Sequence, residues 1–415
     1  MAHGIKVFSF LLLFLGISLF AICFPEILYL GTRTSDVTPK AKQTHTAQKE
    51  VVDTANPCKS KEVYTTLWDK QSPSEDEPRF QKFGKRGVYS AFYDAREPSH
   101  RVLRIIGILA TETDVFCHMI ATSPAGSTMS VDLPLASLRV LNQNSAKGIK
   151  YNFTVCLHKP LFIISLRHVP RILEWIAVNR VFGGEHFVMY TLPSTEAIRK
   201  YLQPLVASGL LEIHSWDMEV PANETDENHS QKATINECMY RHMYTSNRLV
   251  MIDFDEFPTP HSKDNWQDLI NSSPCANESV VYFRNGFFPT QLTAKNSPRS
   301  DIFVTALEKT LRCNETFQCP SRSKVIINPR HVLTCSVHYV PKFVRGVTRP
   351  KKCCMSEELG YLHHYRLWGG DYTRDPNTEE VVGLISDQRM WHFQSKITES
   401  VQDLYKVLNR SLPRI

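Results

Sequence analysis

The sequence predicts an α/β fold, a mainly parallel sheet wound by helices, preceded by a strand-rich segment and a single N-terminal transmembrane helix. Three observations carry this. From residue 152 onward, strand patterns alternate with helical spacing, as expected for βαβ winding. Residues 161–166 form a short continuous apolar run, as in a strand buried on both faces. Residues 7–24 form an apolar run broken only by Ser9, Gly16 and Ser18.

Taken in order, residues 1–6 read as a cytosolic tail and 7–30 as a signal-anchor. The run over 7–24 would span roughly 27 Å as a helix, close to the thickness of a bilayer's hydrocarbon core. Lys6 and the free amine are the charges before it, which keeps the short tail cytosolic and sends the rest across the membrane. A cleaved signal peptide is the alternative. Its apolar core is usually shorter, and no small-x-small cleavage site follows here. Two features fit a lumenal body. Seven Asn-x-Ser/Thr sequons follow, at Asn152, Asn223, Asn228, Asn271, Asn277, Asn314 and Asn409. Ten of the eleven cysteines also lie beyond the run. They read as disulfides of an oxidising compartment, with adjacent Cys353 and Cys354 bridging to separate partners, and a zinc site as the weaker alternative.

Residues 31–79 are rich in Thr, Lys, Gln, Pro and Ser and read as a solvated stem. Aromatic and β-branched residues return over 88–93 and 101–110, which predicts strands in a subdomain covering 80–150. In the main body (151–395), the spacing predicts a helix over 170–181 stopped by Gly183-Gly184. Strands follow at 186–190, 210–213 and 248–252. Helices are expected after Ser194, which lacks a full capping box, and over 232–246. A tail helix covers 396–415. Across the 415 residues, 42% are apolar and 22% charged, ordinary globular values. The net charge of +6 arises from 48 basic and 42 acidic side chains, too mild and too even for a nucleic-acid partner.

Asp253, Asp255 and Glu256 stand directly after the apolar strand 249–252. Ligands of open α/β sheets bind beyond the carboxyl ends of strands. Alternation lets both aspartates face one side while Phe254 faces the core. Clustered carboxylates repel unless a cation or proton lies among them. Hard oxygen ligands suit Mn²⁺ or Mg²⁺. A solvated acidic turn is the bland alternative.

The chain resembles glycosyltransferase family 92 over residues 80–395. The carrying stretches are Tyr89-Ser90-Ala91-Phe92-Tyr93-Asp94-Ala95-Arg96, Arg171-Ile172-Leu173-Glu174-Trp175-Ile176, and Phe182-Gly183-Gly184-Glu185-His186-Phe187-Val188-Met189-Tyr190. Asn236-Glu237-Cys238-Met239-Tyr240-Arg241, Asp253-Phe254-Asp255-Glu256-Phe257 and His364-Tyr365-Arg366 complete the set. The family usually has Ile or Val where Phe254 stands. The resemblance implies a GT-A-type catalytic domain over 151–395 and an inverting β-1,4-galactosyltransferase of the Golgi membrane. The implied donor is UDP-galactose, the metal Mn²⁺ or Mg²⁺, and the acceptor a β-galactose or fucose on N-glycans. A non-catalytic, membrane-bound glycan-binding protein and a transferase using another UDP-sugar are the competing readings, and a homodimer is left open.

Under this reading Asp253 and Asp255 hold metal and diphosphate, while Glu256 serves the metal, the ribose or the surroundings of both. GT-A enzymes often add a late histidine, expected here as His338 at the end of a strand over 332–340, with His364 as runner-up. Arg366 is a candidate phosphate contact, or else a surface salt bridge. Asp301 and Glu308 are the candidates for the base, although Glu308 also reads as a solvated helix residue. Trp175 and Tyr190 read as core residues. Trp368 is expected either to stack on an acceptor sugar or to pack in the core.

Overall fold

The computed structural model describes residues 8–15, 18–24, 81–83, 86–97, 100–108, 119–122, 128–131 and 140–141. From 148 it describes all but 162–165, 193–194, 217–226, 295–301, 303, 348–351, 368–382 and 411–415. The stem, Asp301 and Trp368 therefore lie outside the described residues.

The first half of the body is a wound α/β unit. It runs β1 (Tyr151–Leu157), α1 (Val169–Val181), β2 (His186–Thr191), α2 (Glu196–Ala207), β3 (Leu211–Ser215), α3 (Glu227–His242) and β4 (Ser246–Ile252). The second half adds β5 (Glu256–Pro260), α4 (Trp266–Asn271), β6 (Val280–Phe283), β7 (Asn285–Pro289), α5 (Thr305–Glu308), β8 (Lys324–Ile327), β9 (Lys352–Cys354), β10 (Gly360–Arg366) and α6 (Gln394–Val407), besides shorter strands.

The main sheet has seven strands in the order β3-β2-β1-β4-β8-β6-β9. β3, β2, β1 and β4 are mutually parallel, and β8 is antiparallel to both β4 and β6. The chain winds outward from β1 to β3 and then returns to lay β4 on the other side of β1. That reversal opens a crevice at the carboxyl ends of β1 and β4. Both faces of the sheet are covered. On β4, Val250 and Ile252 pack in one core with α1 and α6, while Leu249 and Met251 pack in a second core with α3. A three-stranded sheet, β5-β10-β7, continues directly from β4.

The helix expected over 170–181 is observed one residue longer. It stops where Gly183 takes φ +113°, and a Cβ on Gly184 would lie 2.9 Å from the Asn179 carbonyl oxygen. Most of the strand expected over 161–166 lies outside the described residues; at its ends Leu161 bridges to Thr191, and Leu166 opens a 3₁₀ turn with its side chain exposed. The buried sheet strand is Tyr151–Leu157, whose apolar run is shorter and interrupted by Thr154. The strand expected over 332–340 is only Val332–Thr334.

The N-terminal hairpin, Arg86–Glu97 with His100–Ile108, is antiparallel. Its Tyr89, Phe92 and Ile106 share the second core with α3. Among the described residues no helix is long and apolar enough to cross a membrane. The backbone of Phe8–Leu15 is paired antiparallel with Ser18–Phe24 on one side and with His100–Ile108 of the hairpin on the other. An apolar run must satisfy its own backbone groups, by a helix in hydrocarbon or by sheet pairing outside it.

Among the described residues three disulfides, Cys156–Cys238, Cys275–Cys353 and Cys319–Cys354, hold the body together. Cys353 and Cys354 go to separate partners, as their adjacency implies. The described sequons at Asn152, Asn271, Asn277, Asn314 and Asn409 are all exposed.

Candidate functional site

The crevice between β1 and β4 is framed by His158, which follows β1, and Asp253, which follows β4. The His158 amide donates to the Ile252 carbonyl at 2.9 Å. From the adjoining helix α3, Gln231 Nε2 donates to Asp253 Oδ1 at 3.1 Å, and the Thr234 hydroxyl donates to the His158 carbonyl.

The acidic residues turn the chain from β4 into β5, and their three carboxylates share two bases, Lys324 and His364. Lys324, first residue of β8 and fully buried, donates to Asp253 Oδ2 at 2.5 Å and lies 3.3 Å from Glu256 Oε2. Glu256 Oε2 also accepts the Asp253 amide at 2.9 Å. Asp255, with its side chain 31% exposed, faces His364, whose Nε2 lies 3.4 Å from Asp255 Oδ2. His364 sits on β10 directly opposite Glu256 of β5, and its Nδ1 is 3.5 Å from Glu256 Oε1. Asn285 of β7 approaches the same Nδ1 at 3.1 Å. Phe254 turns away and packs against the first core, near Trp175.

These contacts set the charges. Burial opposes ionisation of Asp253, but Lys324 and His158 outweigh it and hold the carboxyl below its ordinary range. Burial likewise opposes ionisation of Asp255 and is outweighed by His364. Burial pushes Glu256 up, against the pull of Lys324 and with the like charge of Asp253 adding to the rise. His364 is raised, because Glu256 and Asp255 overcome the burial that would otherwise lower it.

Asp255 and the buried His364 offer an oxygen and a nitrogen 3.4 Å apart, a pair of atoms that could serve one divalent cation. Asp253 adds a carboxylate at the same turn, although one of its oxygens is engaged by Lys324 and the other by Gln231.

Of the expected site residues, Glu256 touches both Asp253 and His364, and His364 touches Asp255. His338 lies in the bend after Thr334, with Nδ1 on the Ser323 carbonyl at 3.1 Å. Burial and the charge of Lys324 push its pKa down to about 4, and Asp253 acts on it in the opposite direction. It borders the site, while His364 is the histidine that touches a carboxylate there. Arg366 ends β10, exposed, on the strand face that alternation shares with His364. Glu308 closes the short helix α5 and is half-buried.

Sequence reasoning missed Lys324, Gln231, His158 and Asn285. A lone Lys before Val325-Ile326-Ile327 carries no motif, and only the pairing of β8 with β4 brings it to the acidic turn. It also missed Glu174 as a functional group. Buried in α1, Glu174 accepts the Ala306 amide at 2.8 Å and so holds the start of α5. Burial pushes its carboxyl up to about 7.

A wound α/β sheet with clustered carboxylates at its switch point defines a class of nucleotide- or phosphate-handling enzymes. The family model for glycosyltransferase family 92 matches residues 151–401, more than half of the chain, and the chain belongs to that family. It is therefore a transferase-type domain, with a sugar donor and a glycan acceptor as its substrate classes. No curated protein sequence matches the chain. A solved structure titled as apo-UDP-glucose pyrophosphorylase aligns with 62% of this chain and 98% of its own, at 6% identity and a TM-score of 0.24, a likeness that carries no argument.

Proposed function

We propose that the chain is an inverting, metal-dependent β-1,4-galactosyltransferase that moves galactose from UDP-galactose to a β-galactose or fucose acceptor on N-glycans. The observation that supports metal dependence is the approach of His364 Nε2 to Asp255 Oδ2, at 3.4 Å, beside the acidic turn that follows β4. The choice of galactose rests on the family resemblance. The apolar run over 7–24, the exposed sequons and the disulfides support a single-pass Golgi membrane protein with a lumenal body.

Asp255, His364 and the accessible lone pairs of Asp253 would hold Mn²⁺ or Mg²⁺. Once bound, the ion neutralises the diphosphate charge that grows as UDP leaves. Lys324 fixes the Asp253 carboxylate, and Asn285 and Glu256 orient the His364 ring. Arg366, exposed beyond His364, would contact a phosphate oxygen. An inverting transfer needs a carboxylate to take the proton from the acceptor hydroxyl as that oxygen attacks the anomeric carbon. Glu308 and Asp301 are the candidates. Glu174 acts as a positioning residue, by fixing the turn that carries Glu308.

The test incubates the full chain, purified in detergent, with a panel of UDP-sugars, Mn²⁺ and defined N-glycans, followed by linkage analysis. The expected product carries one β1,4-linked galactose. No transfer from any donor, with glycan binding intact, would overturn the enzyme reading. Transfer without metal, or full activity in Asp255→Asn, would remove the role given to the acidic turn.

A further inference from the structure

At the opposite end of the sheet, three histidines surround one carboxylate. His186 opens β2, Glu212 and His214 lie on β3, and His242 is the last residue of α3. His186 Nε2 is 3.2 Å from Glu212 Oε2, and His242 Nε2 is 3.6 Å from the same oxygen. His214 Nε2 lies 2.6 Å from the other oxygen, Oε1. The three rings are each at most 7% exposed at the side chain.

The tautomer of His186 follows from its other nitrogen. Nδ1 is 3.0 Å from the Gly209 carbonyl, which can only accept, so Nδ1 carries a hydrogen. In a neutral ring Nε2 then points a lone pair at the Glu212 carboxylate, and only a proton or a cation between them makes that contact favourable. The second ring gives independent support. His242 Nε2 is buried without a hydrogen-bond partner while aimed at the same oxygen. His242 also ends a helix, where the backbone dipole favours a cation.

We propose that His186, Glu212 and His242 form a second metal site, suited to Zn²⁺, with His214 orienting the carboxylate through Oε1. Two imidazoles and one carboxylate are a zinc donor set that leaves a fourth position for water. The ligand atoms all lie within 4.8 Å of one another. The separations from Glu212 Oε2, 3.2 and 3.6 Å, bracket the roughly 3.3 Å edge of a tetrahedron with bonds of about 2.0 Å. The Gly209 carbonyl supplies the outer hydrogen bond that metal-bound histidines typically make.

This site is separate from the acidic turn. Helix α3 connects the two, touching Asp253 through Gln231 and ending at His242, a rise of about 16 Å. The other such cluster among the described residues, His261, His363 and Asp387, is already satisfied. Its two Nε2 atoms pair at 3.1 Å, and Asp387 faces Arg312 at 3.4 Å and the Tyr361 hydroxyl.

The test titrates the full chain, stripped of metal by chelation, with Co²⁺ and reads the visible d–d band of tetrahedral cobalt. About one equivalent should give the band, displaceable by Zn²⁺. Asp255→Asn should leave it unchanged, His186→Gln and His242→Gln should abolish it, and His214→Ala should weaken binding about 10–100-fold. Absence of the tetrahedral band, or its persistence in a folded His242→Gln chain, would overturn the site and leave a hydrogen-bonded cluster only. Should the variants not fold, the wild-type chain with Co²⁺ decides. The His186 Nδ1 proton must then show a paramagnetically shifted resonance, and its absence overturns the proposal.

Discussion

Lys324 Nζ lies 2.5 Å from Asp253 Oδ2, and the lysine side chain has no exposed surface. Burial opposes the charge on Lys324, and Asp253 and Glu256 outweigh it, so the three act as a unit. Removing one partner of such a pair leaves an uncompensated buried charge, which costs about 3–5 kcal/mol. Lys324→Met should therefore lose stability in that range by urea denaturation. Combining it with Asp253→Asn should recover part of the loss. Strictly additive losses in the double variant would show that the two residues are not coupled.

The two aspartates should separate in their effects. Asp255 is partly exposed and pairs with one imidazole, so Asp255→Asn should change stability by less than about 1 kcal/mol. Asp253→Asn strips Lys324 of its nearer partner and should cost about 3 kcal/mol. Both should lower the Mn²⁺ response of transfer. Melting curves recorded with activity at several Mn²⁺ concentrations check this, and equal stability losses in the two variants would contradict the assigned environments.

How much of this site could be read from the chain follows from what each part depends on. Asp253 and Asp255 were legible because a strand end is a local pattern, an apolar run followed by charge. The order β3-β2-β1-β4 was legible only as alternation, since pairing is a long-range property. The choice between the two histidines turns on the same property. His338 follows a run that reads as a long strand, but that strand ends at Thr334, and the register of β10 against β5 brings His364, the runner-up, beside Asp255. Lys324 gave no signal at all, because its partner lies 71 residues away. The zinc-type cluster was equally hidden, drawn from two strands and a helix end.

The N-terminal hairpin lies before the stretch matched by the family model, yet it is bound into the catalytic body. Asp94 is buried between Arg96 and Arg104, at 2.9 and 3.1 Å. Arg96 in turn donates to the Pro329 and Val332 carbonyls at 2.8 and 2.6 Å. Asp94→Ala leaves two arginines without their shared partner and should cost about 3–5 kcal/mol. The loss should appear as a single lowered unfolding transition of the full chain. A separate early transition, with the body melting unchanged, would show that the hairpin is an independent unit.

Glu174 offers a test whose sign is fixed by linkage. Its folded-state value, about 7, lies above the ordinary 4.5, and burial is the main cause. The native state thus binds the proton more tightly than the unfolded chain. The stability this group contributes is fully present below pH 4.5 and is lost as pH rises through about 7. The loss is on the order of 3 kcal/mol, at 1.36 kcal/mol per pKa unit. Glu174→Gln keeps an oxygen for the Ala306 amide but never ionises. At pH 4.5 the variant and the native chain should melt together, and by pH 8 the variant should be the more stable. Galactose transfer should fall in the same variant if the charge of Glu174 helps to set the α5 turn at working pH. A stability difference that stays constant from pH 4.5 to 8 would mean that the carboxyl titrates normally, and that its contact with Ala306 is worth the same in either charge state.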